Sequence, residues 1–135
     1  MIARVQKRMQ EREAGDQGFT LIELLVVIII IGILAAIAIP AFLNQREKAW
    51  ASQVESDLKN ASIAAESYAV GHNGSYDGLT PELLGEEGYN KTADVTVTVE
   101  SADADAYVLE GTHARLDGRT FTYDSTSGVI DDSDD

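Results

Sequence analysis

Gly18-Phe19-Thr20-Leu21-Ile22-Glu23 runs directly into residues 24–39, sixteen positions in a row without a polar side chain. Ala41, Phe42 and Leu43 carry the apolar stretch past Pro40. Its length approaches the roughly 20 residues that a helix needs to cross a hydrocarbon core of about 30 Å. The competing reading is a buried helix of a soluble protein. Residues 26–31 are apolar on every side, however, and the rest of a 135-residue chain is too short to wrap them. The order of the parts is also informative. A secretory signal places its apolar stretch ahead of the cleavage point and loses it. Here a cut after Gly18 discards a polar leader and leaves the apolar helix at the start of the mature chain.

The flanks orient the segment. Arg4, Lys7, Arg8 and Arg12 precede it and only Arg46 and Lys48 follow closely, which favours a cytoplasmic N-terminus. Glu23 is the residue that needs a reason, because an ionised carboxylate inside a membrane helix costs about 2.5–3.5 kcal/mol on insertion scales. It either sits near enough to the interface to be wetted or meets a cation. Removal of the leader supplies one, the new α-amine of Phe19, four residues away within a helix and also reachable between neighbouring chains. Pro40 withholds an N–H from the Ala36 carbonyl, at about 3 kcal/mol for an interior proline, and Gly32 adds about 1 kcal/mol relative to alanine. The stretch between them is the weakest part of the helix, and a simple kink is expected in a free monomer.

At these residues the chain resembles the type IV pilin superfamily, whose precursors carry glycine before the cut, then Phe-Thr-Leu-Ile-Glu and a long apolar helix. The likeness extends from Gly18 to about Val70 and includes Gly32 and Pro40, the helix-weakening pair. It implies cleavage between Gly18 and Phe19 by a membrane prepilin peptidase, N-methylation of Phe19, and pairing of Glu23 with the Phe19 amine of an adjacent subunit during filament assembly. In related pili the stretch between Gly32 and Pro40 loses helical structure on packing. Pili, secretion pseudopilins and competence pilins share this signature, so it does not separate them.

Beyond Leu43 the composition changes and the helical period persists. Trp50, Val54, Leu58, Ala61, Ala65 and Tyr68 recur at steps of three or four, with Arg46, Glu47, Lys48, Glu55, Asp57, Lys59 and Glu66 mostly on the other positions. The stripe reads as core. Gly71 is expected to stop the helix, before a loop over residues 71–93 in which Thr80 caps a short turn beginning at Pro81. Val95, Val97 and Val99 then alternate with threonines, Tyr107 and Leu109 share a face, and so do Phe121 and Tyr123. Asp117-Gly118 marks a tight turn. The expected fold class is α+β. A long N-terminal helix, half membrane and half amphipathic, packs on a small antiparallel meander of three strands, or four if Val129 and Ile130 pair, the pilin-like αβ-roll. The expected segments are a cleaved leader (1–18), a transmembrane or filament-core helix (19–43), an amphipathic helix (44–70) and a β head with an acidic tail (71–135). With no cysteine in the chain, residues 125–135 have no disulfide to hold them and are expected to be mobile, ending in a solvated acidic run.

Net charge is −13, and residues 71–135 carry fifteen acids against Lys91, Arg115 and Arg119. Such a surface repels phosphate, so direct nucleic-acid binding is not expected. Asp103, Asp105 and Asp124 are conceivable calcium ligands, but no Asp-x-Asp-x-Asp-Gly loop contains them, and no metal or cofactor is expected. His72 and His113 lack the spacing of a zinc site and read as surface residues. No nucleophile motif or phosphate-cradling loop is visible, so the chain is expected not to be an enzyme. Asn60, Asn73 and Asn90 begin glycosylation triplets that read as coincidental. Given the resemblance, the expected function is the structural subunit of a type IV pilus. Its expected partners are copies of itself, the prepilin peptidase, the assembly machinery and the cell membrane. It would be held in the membrane as a single-pass protein with a cytoplasmic leader, then exported into an extracellular pilus. A type II secretion pseudopilin, or a membrane-tethered binding module that does not assemble, are the alternatives.

Overall fold

The computed structural model describes residues 19–134. Helix α1 runs through Leu21–Val70, α2 follows at Pro81–Glu86, and four strands complete the chain: β1 (Val95–Ala102), β2 (Tyr107–His113), β3 (Thr120–Asp124) and β4 (Ile130–Asp132). The chain divides into two compact units, Met1–Asn44 and Gln45–Asp135.

In the first unit every large apolar side chain from Phe19 to Leu43 is 45–84% exposed. A core helix of a soluble protein would have these side chains buried. This one is long and apolar enough to cross a membrane, and none of its most apolar window is covered. Gly32 and Pro40 both lie within the unbroken helix.

The second unit is a sheet on a helix. The strands pair in sequence order, all antiparallel, and the fourth strand forms through Ile130 but not Val129: Tyr123 faces Ile130 and Phe121 faces Asp132. The expected stripe is the buried one. Val54, Leu58, Ala61, Ala65 and Tyr68 pack with Val95, Val97, Tyr107, Leu109 and Phe121, while Trp50 is half-buried at the margin. Burying each large member contributes about 1.5–3 kcal/mol. Ala51, Ala64 and Ala69 are also buried, and the small side chains bring the helix close to the sheet. Gly111 sets the limit of that approach: a Cβ there would lie 2.7 Å from Val54 Cγ1 and 3.2 Å from Leu58 Cγ. A bulge between Val99 and Ser101 puts Glu100 and Ser101 both in solvent.

The helix stop and the tight turn are found where expected, with detail the sequence did not carry, and the tail needs correction. The helix ends at Val70, but Gly71 is not the left-handed residue. Gly71 and His72 donate to the carbonyls of Tyr68 and Ala69, and positive φ falls at Asn73 and Gly74, with Gly74 N–H returning to the Ala69 carbonyl at 2.7 Å. The tight turn at Asp117-Gly118 exists, with Gly118 at φ 73° and Arg119 N–H bonded to the Leu116 carbonyl, but it sits inside a longer connection running from His113 to Thr120. The tail is not simply a solvated run. β4 pairs with β3, and Ser133 N–H donates to the Thr120 carbonyl. Thr80 caps α2 as expected, its hydroxyl accepting from Leu83 N–H.

Candidate functional site

Gly18 and the leader lie outside the described residues; Phe19 opens the described chain, 73% exposed. The next four residues form a reciprocal cap. Thr20 N–H donates to Glu23 Oε2 and Glu23 N–H donates to Thr20 Oγ1, each at 3.2 Å. This is the Thr-x-x-Glu pattern that satisfies two of the donors a helix N-terminus leaves unmatched. The sequence pattern was there to be found, and Thr20 is the site residue that the sequence reading missed. The Glu23 carboxylate is thereby held at the end of α1, directed back toward the chain that precedes it. An α-amine on Phe19 would stand one residue before this cap. A cation there also faces the helix end that carries partial positive charge, so one carboxylate serves the helix N-terminus and remains available to an amine.

Pro40 lies inside the helix, and Gly32 stands in open space among the described residues. A Cβ at Gly32 would meet nothing within 4 Å. Whatever Gly32 does depends on the backbone or on a neighbouring chain, since packing within this chain does not require a glycine.

In the head, two of the three residues considered as metal ligands are occupied otherwise. Asp103 Oδ1 accepts from the N–H of Asp105 and Ala106, and Asp124 Oδ1 from both the N–H and the hydroxyl of Thr126. These bonds hold both carboxyls below the usual aspartate range and shape the β1–β2 and β3–β4 turns. His113 is a correction. It is buried (4% exposed), stacked on Trp50 at 5.7 Å, and bonded through Nε2 to Gln53 Oε1 at 3.0 Å, while Nδ1 accepts from Arg115 N–H. His72 remains exposed but stacks on Tyr68, and its Nδ1 donates to the Tyr68 carbonyl at the helix end.

Two polar clamps take the place of a disulfide. Asp57, 2% exposed, accepts from Tyr89 Oη at 3.0 Å, Thr92 N–H at 2.8 Å and Thr92 Oγ1 at 2.6 Å. Arg119 forks onto Asp132, Nε to Oδ1 at 2.9 Å and Nη2 to Oδ2, and lies 3.6 Å from Asp134 Oδ2. Its guanidinium also lies over the Phe121 ring. The Arg119 hydrogen bonds, against the effect of burial, hold the Asp132 carboxyl below its usual range. The unfolded state therefore binds the proton more readily, and the stabilisation is complete above the ordinary aspartate pKa near 3.9. It is lost as pH falls through the lower folded value. Acidification below about pH 4 is expected to expose β4 before the core, and Arg119→Ala should do so at neutral pH, removing about 1–2 kcal/mol. Amide exchange at Ile130 and Asp132, followed against pH, checks both.

Comparison with known proteins agrees with this arrangement. A sequence profile described as the prokaryotic N-terminal methylation motif matches residues 14–39. The type IV wide pilus major component PilA4 of Thermus thermophilus is 39% identical over 98 residues, covering 73% of this chain and 74% of that protein. The type IV major pilin protein PilA of Myxococcus xanthus is 39% identical over 91 residues, 64% of this chain and 41% of its own length. The type II secretion system core protein G of Pectobacterium carotovorum is 36% identical over 58 residues, 43% of this chain and 37% of its own length. The chain thus spans about three quarters of the Thermus pilin and under half of the other two. With an exposed apolar helix, a capped Glu23 at its start and an antiparallel sheet on its second half, this chain belongs to the type IV pilin superfamily.

Proposed function

We propose that this protein is the structural subunit of a type IV pilus, made as a precursor, cut between Gly18 and Phe19, and polymerised through its N-terminal helix. The observation that carries the reading is the apolar face of α1, exposed from Phe19 to Leu43 and headed by a carboxylate held in place by Thr20. That face needs lipid or other helices around it. A membrane supplies the first, and a bundle of identical helices supplies the second at no loss of apolar burial.

Four segments follow from this: a leader (1–18) removed by a prepilin peptidase, a helix (19–43) first in the membrane and then in the filament core, its amphipathic continuation (44–70), and the head (71–135). Phe19 carries the new amine, methylated after cleavage, and Glu23 of an adjacent copy neutralises it. Gly32 and Pro40 mark the stretch of α1 that yields when helices pack. The assembly machinery moves the subunit from a single-pass membrane state to the cell surface. The protein is not an enzyme on this reading; its chemistry is burial and charge neutralisation.

A pseudopilin reading has one observation in its favour, the similarity to core protein G, but that match covers 43% of this chain against 73% for the Thermus pilin. Intact mass and N-terminal sequencing of protein sheared from cell surfaces test the proposal. A subunit that begins at Phe19 and carries one extra methyl is expected. A surface protein that retains residues 1–18 would overturn it, and short periplasmic fibres without extracellular ones would favour the pseudopilin.

A further inference from the structure

The two ends of the head differ in charge. Trp50 stacks on His113 at the close of β2, whereas Tyr107 at its start reaches the Ser62 carbonyl at 3.4 Å, so α1 and β2 run antiparallel. Arg46 and Arg115 both lie against the Trp50 ring, their Cζ atoms 5.1 and 5.9 Å from its centroid, and Lys48 is close by in sequence. Asp94, Asp117, Asp132, Asp134 and Glu47 share that end, but Arg119 takes Asp132 and Asp134. Arg115 is exposed, and no carboxylate lies within ion-pairing distance of it among the described residues. The opposite end presents Glu100, Asp103, Asp105 and Asp124 with Glu66 and Asp77, and no lysine or arginine occurs from Asn60 to Asn90, from Thr92 to Ala114 or after Arg119.

We propose that Arg115 and Arg46, laid on Trp50, receive the acidic β1–β2 turn around Asp105 of a second copy of this chain. The inference rests on the pilus reading, because copies repeated along one filament are all oriented alike. The Trp50 end of one head is then directed at the turn end of another. A guanidinium stacked on an indole has lost part of its freedom before the partner arrives and presents its donors edge-on, a geometry suited to carboxylates. The net charge of −13 disfavours a phosphate-bearing partner, whereas a second head brings the acids that complement this end. Asp105 suits the role because its side chain is exposed, while Asp103 is committed to shaping the turn.

The test is a charge exchange in cells that make filaments. Arg115→Glu is expected to lower sheared filament about tenfold or more, through like charges brought together at the contact. Mature N-terminus and melting temperature of the extracted subunit should stay unchanged. Arg115→Glu combined with Asp105→Lys is expected to restore it. The chain has no cysteine, so Arg115→Cys with Asp105→Cys gives a background-free check: a short bismaleimide should link intact filaments into ladders, and either single variant should give dimers at most. Filaments unaffected by Arg115→Glu, or double-cysteine filaments that form no ladder, overturn this contact and leave the pilus reading standing. Absence of filaments from the unaltered protein overturns both.

Discussion

Replacing Glu23 by glutamine is expected to yield a fully processed membrane protein and no filaments. The choice of glutamine separates two roles that the structure superimposes on this residue. Thr20 and Glu23 cap each other across the start of α1. Glutamine supports the same cap, so the helix start should survive, and losing the charge eases insertion into lipid by about 2.5–3.5 kcal/mol. What glutamine lacks is the charge that would meet the Phe19 amine of the next subunit. An ion pair at about 4 Å and an effective permittivity of 20 is of order 4 kcal/mol, roughly a thousandfold in association for each subunit. Glu23→Ala should behave in the same way, with about 1 kcal/mol less support for the helix end. Electron microscopy of cell surfaces and the mature mass of the membrane fraction measure the two effects separately. Normal filaments from the glutamine variant would reduce Glu23 to a capping residue.

The second large effect lies in the head. Asp57→Ala is expected to lower stability by about 3 kcal/mol, because it removes three hydrogen bonds to a carboxylate at a buried position. The donors left behind are Thr92 N–H, the Thr92 hydroxyl and the Tyr89 hydroxyl. Burial, and then the bond to Asp57, push the Tyr89 hydroxyl well above its usual pKa, so it remains a donor throughout the physiological range. For a head of about this size the loss corresponds to about 15 °C of melting temperature. Circular dichroism of the detergent-extracted chain reads it directly, and a shift under a few degrees would mean the clamp is not what holds residues 89–92 to α1. Asp57→Asn keeps the volume but places an amide among donors, and should fall between the parent and the alanine variant.

Legibility in the sequence followed the range of the interactions involved. The apolar run, the stripe from Val54 to Tyr68, the alternation in β1, β2 and β3, and the Thr80 cap all arise between residues a few positions apart. Period and local chemistry therefore announced them. The helical period alone sets Asp57 among the solvent-facing positions, because a charged residue beside a stripe is usually exposed. Its partners lie 32 and 35 residues away, beyond any local pattern. His113 was hidden in the same way by Gln53, 60 residues earlier. The tail has no cysteine and no local sign of an anchor, whereas a guanidinium 13 residues upstream holds it.

The order of polar N-terminal stretch, Gly18-Phe19 junction, carboxylate and apolar helix is a property of the chain itself, because each part is defined by its own composition and its immediate neighbours. A helix long and apolar enough to cross a membrane, the cap at Thr20 and the family follow from that order. Which acid is buried, how Gly111 lets α1 meet the sheet, and where the few cations of the head gather were decided only when distant segments came together. Burial and ion pairing depend on separation in space, and only the folded chain sets that.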